Sequence, residues 1–263
     1  MNIRKNKIKH KLSNGDIATA VMTPMPITAD LIEYMGPYGF DGVWIETEHA
    51  AIDFADIPDM TRAADLWNMT SIVRLNLNLP GVIYRTLDVG AQAIVMPHVD
   101  TKLQAEEVVK AAKFYPLGAR GNYTSRQGIG VENFAQKAND ETMIVVLIED
   151  ILAVNNLKEI LEVDHIDVFY VAPGDLAQSM GLLGQPNHPE VLKTVDKALT
   201  QIQDAGRVAG TLVNDDSVES YLEKGVKFVT TAIAPWLETV SYTHLRAHET
   251  RHDLVCRLLL EKK

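Results

Sequence analysis

Met143-Ile144-Val145-Val146-Leu147-Ile148-Glu149-Asp150 is an unbroken apolar run that stops at two acids. Farther on, Ile166-Asp167-Val168-Phe169-Tyr170-Val171-Ala172-Pro173-Gly174-Asp175-Leu176 is a second such run, stopping at a Pro-Gly-Asp turn. Between them, Ala153 to Glu162 sets Leu157, Ile160 and Leu161 on one face of a helix. Strand, helix and strand in about thirty residues make a βαβ unit with parallel strands. Glu149 and Asp175 then share one edge of the sheet. Two carboxylates held side by side repel each other unless a cation sits between them. A divalent metal is the reading this placement supports.

The same alternation repeats on both sides of that unit. Short apolar runs at Ile17–Met22, Gly42–Ile45, Ser71–Leu75, Ala93–Pro97, Val208–Val213 and Phe228–Ile233 read as further strands. The segments between them, from Thr28 to Met35, Phe54 to Leu66, Gly81 to Val89, Leu103 to Phe114, Pro189 to Ala205 and Ser217 to Glu223, read as helices. The strands are nearly all-apolar, as in a sheet buried on both faces. Eight βα units in 263 residues predict an α/β fold, a single-domain (β/α)8 TIM barrel. An open doubly wound sheet is the alternative, weakened because no G-x-G-x-x-G follows the first strand. Residues 1–15, with the basic run Arg4 to Lys11, read as a solvated arm ending in a Ser13-Asn14-Gly15 turn. Gly118 to Gly130 reads as a loop.

Composition narrows the function. The chain is 46% hydrophobic and 23% charged, with a formal net charge of −10, ordinary for a soluble globular protein. No Lys/Arg cluster is long enough to follow a phosphate backbone, which argues against nucleic acid. A single Cys256 excludes an intramolecular disulfide and suits a reducing cytosol. There is no apolar signal core and no run of about 18 apolar residues. The expectation is a cytoplasmic protein with no membrane partner. Barrel chemistry sits at the C-terminal strand ends. Glu46, Glu48 and His49 follow strand two, Arg74 ends strand three, Pro97 and His98 end strand four, Glu149 strand five and Asp175 strand six.

At these positions the sequence resembles the HpcH/HpaI aldolase family. The matching stretches are Gly39-Phe40-Asp41 through Glu48-His49-Ala50, Ile72-Val73-Arg74, Leu87-Asp88-Val89-Gly90-Ala91, Tyr115-Pro116 through Gly118-Ala119-Arg120-Gly121, Ile148-Glu149, and Pro173-Gly174-Asp175-Leu176 through Met180-Gly181. The resemblance implies a class II, metal-dependent pyruvate aldolase on a (β/α)8 barrel, assembled as a homo-hexamer, a trimer of dimers. It makes Glu149 and Asp175 the ligands of Mg²⁺ or Mn²⁺, with Co²⁺ or Zn²⁺ also accepted. Oxygen ligands suit such cations. It makes Arg74 the contact to the substrate keto oxygen, where a fixed guanidinium stabilises enolate charge. It makes His49 an acid/base working through water, a role suited to imidazole near neutral pH. Glu46 stands where the family has Asp, three residues before this His, and is expected to orient the imidazole. Ala172, Pro173, Gly174 and the amide of Asp175 would form the seat of the substrate carboxylate, with Ala172 replacing the usual Gly. Arg120 matches a loop near the site entrance, and Asp88 a residue reaching the neighbouring subunit's site. The partners so implied are a small 2-oxo acid and an aldehyde. The bland readings are a helix cap for Glu149 or Asp175 and an ordinary ion pair for Arg74.

The resemblance stops near Ser241. Ser241 to Lys263 resembles translated sequencing-adapter read-through, so residues 1–240 are expected to form the barrel domain and 241–263 a non-native tail replacing the last helix. His248-Glu249-Thr250-Arg251-His252 is an H-E-x-x-H match without a third ligand or a supporting fold, and is set aside as a zinc-protease motif. Two further readings of the barrel stay open. One is a citrate-lyase-β-like carbon–carbon lyase, which would need basic contacts for a CoA thioester. The other is a non-catalytic small-acid-binding barrel, which would not need His49, Arg74, Glu149 and Asp175 together.

Overall fold

The computed structural model describes residues 2–23 and 27–239; the whole of the expected tail, Ser241 to Lys263, lies outside them. The elements are α1 (Lys7–Ser13), β1 (Ala18–Met22), α2 (Ala29–Met35), β2 (Gly42–Glu46), α3 (Ile57–Leu66), β3 (Thr70–Arg74), α4 (Pro80–Asp88), β4 (Ala93–Met96), α5 (Lys102–Ala112), α6 (Phe134–Glu141), β5 (Met143–Ile148), α7 (Ile151–Asn155), α8 (Leu157–Ile160), β6 (Val168–Val171), α9 (Pro173–Ser179), α10 (Pro189–Asp204), β7 (Ala209–Val213), α11 (Val218–Glu223) and β8 (Phe228–Ala232). All eight strands pair in parallel in sequence order, and β8 closes on β1. This is the (β/α)8 barrel, and the open doubly wound alternative falls.

Two apolar clusters hold it. The larger lies between the outer strand faces and the helices, with Val43, Ile45, Val73, Ile94, Val146, Phe169 and Val171 against residues such as Ile83, Val108, Leu157 and Val195. The smaller fills the barrel with Ala18, Ala20, Trp44, Ile72, Ala93, Val95, Val145, Leu147, Val168, Tyr170 and Phe228. A strand alternates its side chains between faces, and a sheet buried on both faces makes both sets apolar.

The N-terminal arm corrects the sequence reading. It is not solvated: α1 lies across the N-terminal end of the barrel, and Ile8 (0% exposed) and Leu12 join the interior cluster. Asn6 caps this helix by accepting from the Lys9 amide at 3.0 Å, and its side-chain amide donates to the carbonyls of Gln92 and Glu141, each at 3.1 Å. The basic run is spent on ion pairs. Lys7 and Lys11 reach Asp41 at 3.0 and 2.8 Å, and Lys9 reaches Asp167 at 3.0 Å.

Two smaller differences follow from local chemistry. The helix expected over Ala153 to Glu162 breaks at Asn156, whose side chain donates instead to the Asp100 carbonyl at 2.8 Å. Asn competes with helical backbone in this way. The loop expected over Gly118 to Gly130 carries one 3₁₀ turn, at Arg126–Gly128, and α6, which follows it, is a helix the sequence reading did not assign. Lys113, 1% exposed, binds this region to the barrel by donating to the carbonyls of Asn139 and Thr142 at 2.8 and 2.6 Å.

Two outcomes follow. Ile8→Ala, which opens a cavity under the barrel, is expected to lower unfolding free energy by about 3 kcal/mol in denaturant titration. Burial, with the neighbouring Lys9 ammonium, brings the Lys113 pKa down to about 7, while an unfolded lysine titrates near pH ~10.4. Between those values the unfolded chain binds more protons, so this group makes stability rise with pH, by at most about 1.4 kcal/mol per pH unit. Wild type is therefore expected to gain stability relative to Lys113→Met as pH is raised from about 7 to about 9.

Candidate active site

The period of the strands places the central residues. Trp44, Ile72 and Leu147 face the barrel interior, so the residues two positions on, Glu46, Arg74 and Glu149, face inward at its C-terminal mouth. The register sets Glu46 directly beside Arg74. The Arg74 guanidinium lies among three carboxylates. Nε pairs with Glu48 Oε2 at 2.6 Å, Nη1 with Glu46 Oε2 at 3.4 Å, and Nη2 with Glu149 Oε2 at 3.3 Å. The ordinary ion-pair reading of Arg74 understates this, because the three acids come from two different strand ends.

Glu149 is 2% exposed. Its Oε1 accepts from the His98 amide at 2.8 Å. His98 has φ +54, the left-handed region that non-glycine residues seldom enter. Burial pushes the Glu149 carboxyl above the usual range, and Asp175 adds to the rise against the pull of the His98 amide and Arg74. Burial likewise raises Glu48, with Glu46 adding to it and Arg74 opposing. Neither Glu149 nor Asp175 is a helix cap. Asp150 caps α7, accepting from the Leu152 amide at 2.7 Å, and Asp175 lies inside the first turn of α9, behind an Ala172 that makes no side-chain cap. Asp175 is exposed and Pro173 opens the helix. A Cβ added at Gly174 would meet nothing within 4 Å, so the space above it is open. The first-turn amides of an α-helix have no intrahelical acceptor.

Glu46 does not orient the His49 imidazole. Its Oε1 accepts from the amides of Glu48 (2.8 Å) and His49 (3.2 Å), and Oε2 from Trp44 Nε1 at 3.3 Å. The longer side chain thus fixes the turn after β2. Glu48 is the acid that faces the imidazole, with Oε2 3.7 Å from His49 Nε2. The His49 side chain is 69% exposed at the mouth. Glu48 and His98 are the two residues to which the sequence reading gave no role. His98 Nε2 lies 3.4 Å from Glu48 Oε1, and Nδ1 3.5 Å from Glu149 Oε1. Their signal was position alone, just past β2 and β4.

Asp88 and Arg120 are elsewhere. Asp88 ends α4, at the N-terminal end of the barrel, and Arg120 pairs with it at 2.7 Å while stacking 4.7 Å over Phe114. The Arg120 loop packs below the barrel and not at the site entrance of its own subunit. Any reach of Asp88 to a site runs through a second copy.

A raised carboxyl pKa costs stability above the ordinary glutamate range. The folded-state preference for the protonated form is fully present below that range and is lost as pH rises through the shifted value. In chelator-treated protein, Glu149→Gln is therefore expected to melt above wild type at pH 7, with the difference closing as pH falls toward the ordinary glutamate value near ~4.3; scanning calorimetry across pH measures it.

The HpcH/HpaI aldolase/citrate lyase family profile matches residues 26–235. The chain is 35% identical to a hydroxypyruvate/pyruvate aldolase of Roseobacter denitrificans, over 87% of this chain and 91% of that one. It is 33% identical to a 4-hydroxy-2-oxo-heptane-1,7-dioate aldolase of Escherichia coli, over 76% and 79%. A crystal structure of a family member from Burkholderia cenocepacia superposes with a TM-score of 0.86 at 26% identity, covering 93% of this chain and all of that one. A closed parallel barrel with an arginine among three glutamates at its mouth, matched over this length, is a carbon–carbon lyase and belongs to the HpcH/HpaI aldolase/citrate lyase family.

Proposed function

We propose that this chain catalyses reversible aldol cleavage of 4-hydroxy-2-oxo acids to pyruvate, or hydroxypyruvate, and an aldehyde, and that Glu149 and Asp175 hold a divalent cation for it. The observation that carries the reading is the Arg74 guanidinium set between Glu46, Glu48 and the buried Glu149. The residues fit such a cation. The donors are carboxylate oxygens, and burial first, with Asp175 adding to it, pushes the Glu149 carboxyl up against the pull of the His98 amide and Arg74, so a further cation would find an acid pair to neutralise. Among the described residues no three or more His, Cys, Asp or Glu side chains form a metal cage. Mg²⁺ is commonly held by one or two carboxylates, with water and substrate completing its shell. Mg²⁺ or Mn²⁺ is the proposed ion, and when bound it supplies Lewis-acid activation of the 2-oxo acid.

The chain's own residues do the rest. The amides of Gly174 and Asp175, behind Ala172 and Pro173, receive the substrate carboxylate. Arg74 donates to the keto oxygen and stabilises the negative charge that develops there. His49, acting through water, takes a proton from C3 of pyruvate. The C–H electron pair becomes the enolate, whose carbon attacks the aldehyde carbon, and the aldehyde oxygen takes the proton back. Cleavage is the reverse. Glu46 holds the turn that carries His49, and Glu48 positions Arg74 and the two imidazoles. The reading extends to a cytoplasmic homo-hexamer in which Asp88 and Arg120 meet a neighbouring site, with residues 1–240 as the aldolase domain and 241–263 as a non-native tail. A citrate-lyase-like carbon–carbon lyase is the alternative, since the family profile that matches the chain takes in citrate lyases as well.

Deuterium exchange into the methyl group of pyruvate, which needs no aldehyde, tests the core of this. Exchange is expected with Mn²⁺ or Mg²⁺, and its loss is expected with EDTA or in Glu149→Ala. Arg74→Met is expected to slow it about a hundredfold or more. Exchange that survives EDTA, or activity destroyed by borohydride with pyruvate, contradicts the mechanism.

A further inference from the structure

His98 is the imidazole that the aldolase reading leaves without chemistry of its own. β4 and β5 are neighbours, with Met96 level with Val146, so the chain passes through His98 where β5 ends in Glu149. The residue holds φ +54, a conformation that histidine enters more readily than most residues but that still costs energy. In it the His98 amide donates to Glu149 Oε1 at 2.8 Å. The ring, 68% exposed, lies between two carboxylates, with Nδ1 3.5 Å from Glu149 Oε1 and Nε2 3.4 Å from Glu48 Oε1.

A neutral imidazole carries one N–H and one lone pair. It serves one of those acids by donating and turns its lone pair toward the other. Glu48 is placed to take the N–H: its Oε2 is paired with Arg74 Nε at 2.6 Å, which leaves Oε1 for the ring. Nδ1 then faces Glu149 Oε1 with an electron pair on each side. A divalent cation joins two such donors. Two ligands of one ion, each about 2.1 Å from it, stand about 3.0 to 3.4 Å apart, close to the 3.5 Å between Nδ1 and Oε1. A ligating histidine gives its other N–H to a carboxylate in most metal sites, and Glu48 occupies that place.

We propose that His98 Nδ1 is a third, nitrogen ligand to the cation held by Glu149 and Asp175, with Glu48 fixing the ring for it. The inference rests on those two acids holding the ion and adds the donor that selects among metals. No cage of three His, Cys, Asp or Glu side chains stands assembled among the described residues. The buried Glu149 is the fixed donor, and the imidazole and Asp175 are exposed side chains with room to turn onto an ion. Imidazole nitrogen suits ions such as Co²⁺ and Zn²⁺, whereas Mg²⁺ keeps to oxygen. Within the two-acid reading, His98 therefore moves the preferred ion from Mg²⁺ toward the transition metals.

The direct readout is spectroscopic and needs no turnover. Mn²⁺ is loaded into the chelator-treated full chain, and its electron spin echo is recorded for modulation from a directly bonded nitrogen. Wild type is expected to show the modulation, His98→Asn to lose it and His49→Gln to keep it. Asparagine tolerates the left-handed backbone, so the amide that binds Glu149 stays in place, and His98→Gly, equally at home at positive φ, is expected to behave the same way. In calorimetric titrations His98→Asn is expected to weaken Co²⁺ binding about tenfold or more and Mg²⁺ binding less than about threefold. Glu48→Gln is expected to weaken Co²⁺ binding about tenfold. Mn²⁺ bound without nitrogen coupling overturns the proposal, makes the ring an imidazolium paired with both acids, and leaves the two-carboxylate site standing. Coupling that vanishes in His49→Gln and survives in His98→Asn overturns it in favour of His49. Mn²⁺ that fails to bind wild type, or binds Glu149→Gln as tightly, removes the two-carboxylate reading and this proposal together.

Discussion

One guanidinium holds the barrel mouth together. Glu46, Glu48 and Glu149 converge where water is scarce, and three carboxylates there would repel one another without a cation between them. Arginine is suited to the position because its charge is permanent and its donors fan out in a plane. Nε and the two terminal nitrogens each face a different acid. The backbone is tied to the same point. The Arg74 carbonyl accepts from the amide and the hydroxyl of Thr47, the first residue after β2, and Glu46 then gathers the next two amides. The turn that carries His49 is thus fixed by the residues that neutralise each other beneath it.

Arg74 does not complete the neutralisation. Glu149 is nearly inaccessible yet keeps a raised pKa despite the guanidinium and the His98 amide. A buried acid with too little positive charge costs stability. The cation proposed for this site would relieve that cost, and its affinity would then be coupled to the fold. The left-handed His98 backbone belongs to the same economy of strain: an unfavourable local conformation retained where it supports a functional group.

The barrel was legible in the sequence because doubly buried parallel strands leave continuous apolar runs, and eight of them recur at one period. The mouth was legible in outline, since a polar residue ending such a run has one place to go. The arrangement within it was not. Glu46 and Glu48 differ by two positions in a tight turn, and only the folded backbone shows that Glu46 takes the amides while Glu48 takes the imidazole. His98 was invisible as an amide donor because backbone conformation carries no side-chain signature there. The N-terminal segment was misjudged through its lysines. Ile8 and Leu12, one helical turn apart, held the better signal, and the lysines are explained by Asp41 and Asp167.

The two ends of the barrel treat acids in opposite ways, and that difference locates function better than any single residue. At the N-terminal end, among the described residues, Asp41, Asp65 and Asp88 each meet a basic side chain. Lys7 and Lys11 flank Asp41, and although burial pushes its carboxyl up, Lys11, the Thr19 amide and Lys7 hold it below the usual range. Asp65 has Arg4 at 3.3 Å and Arg126 at 2.6 Å, and Asp88 has Arg120. At the C-terminal end Glu48, Asp100 and Glu149 all sit above the usual range, each with burial as the first cause and another carboxylate among the rest. Folding alone would favour balance at both ends. At the C-terminal end, on loops whose described residues include no Lys or Arg, the cation proposed for Glu149 and Asp175 would supply positive charge beyond that of Arg74.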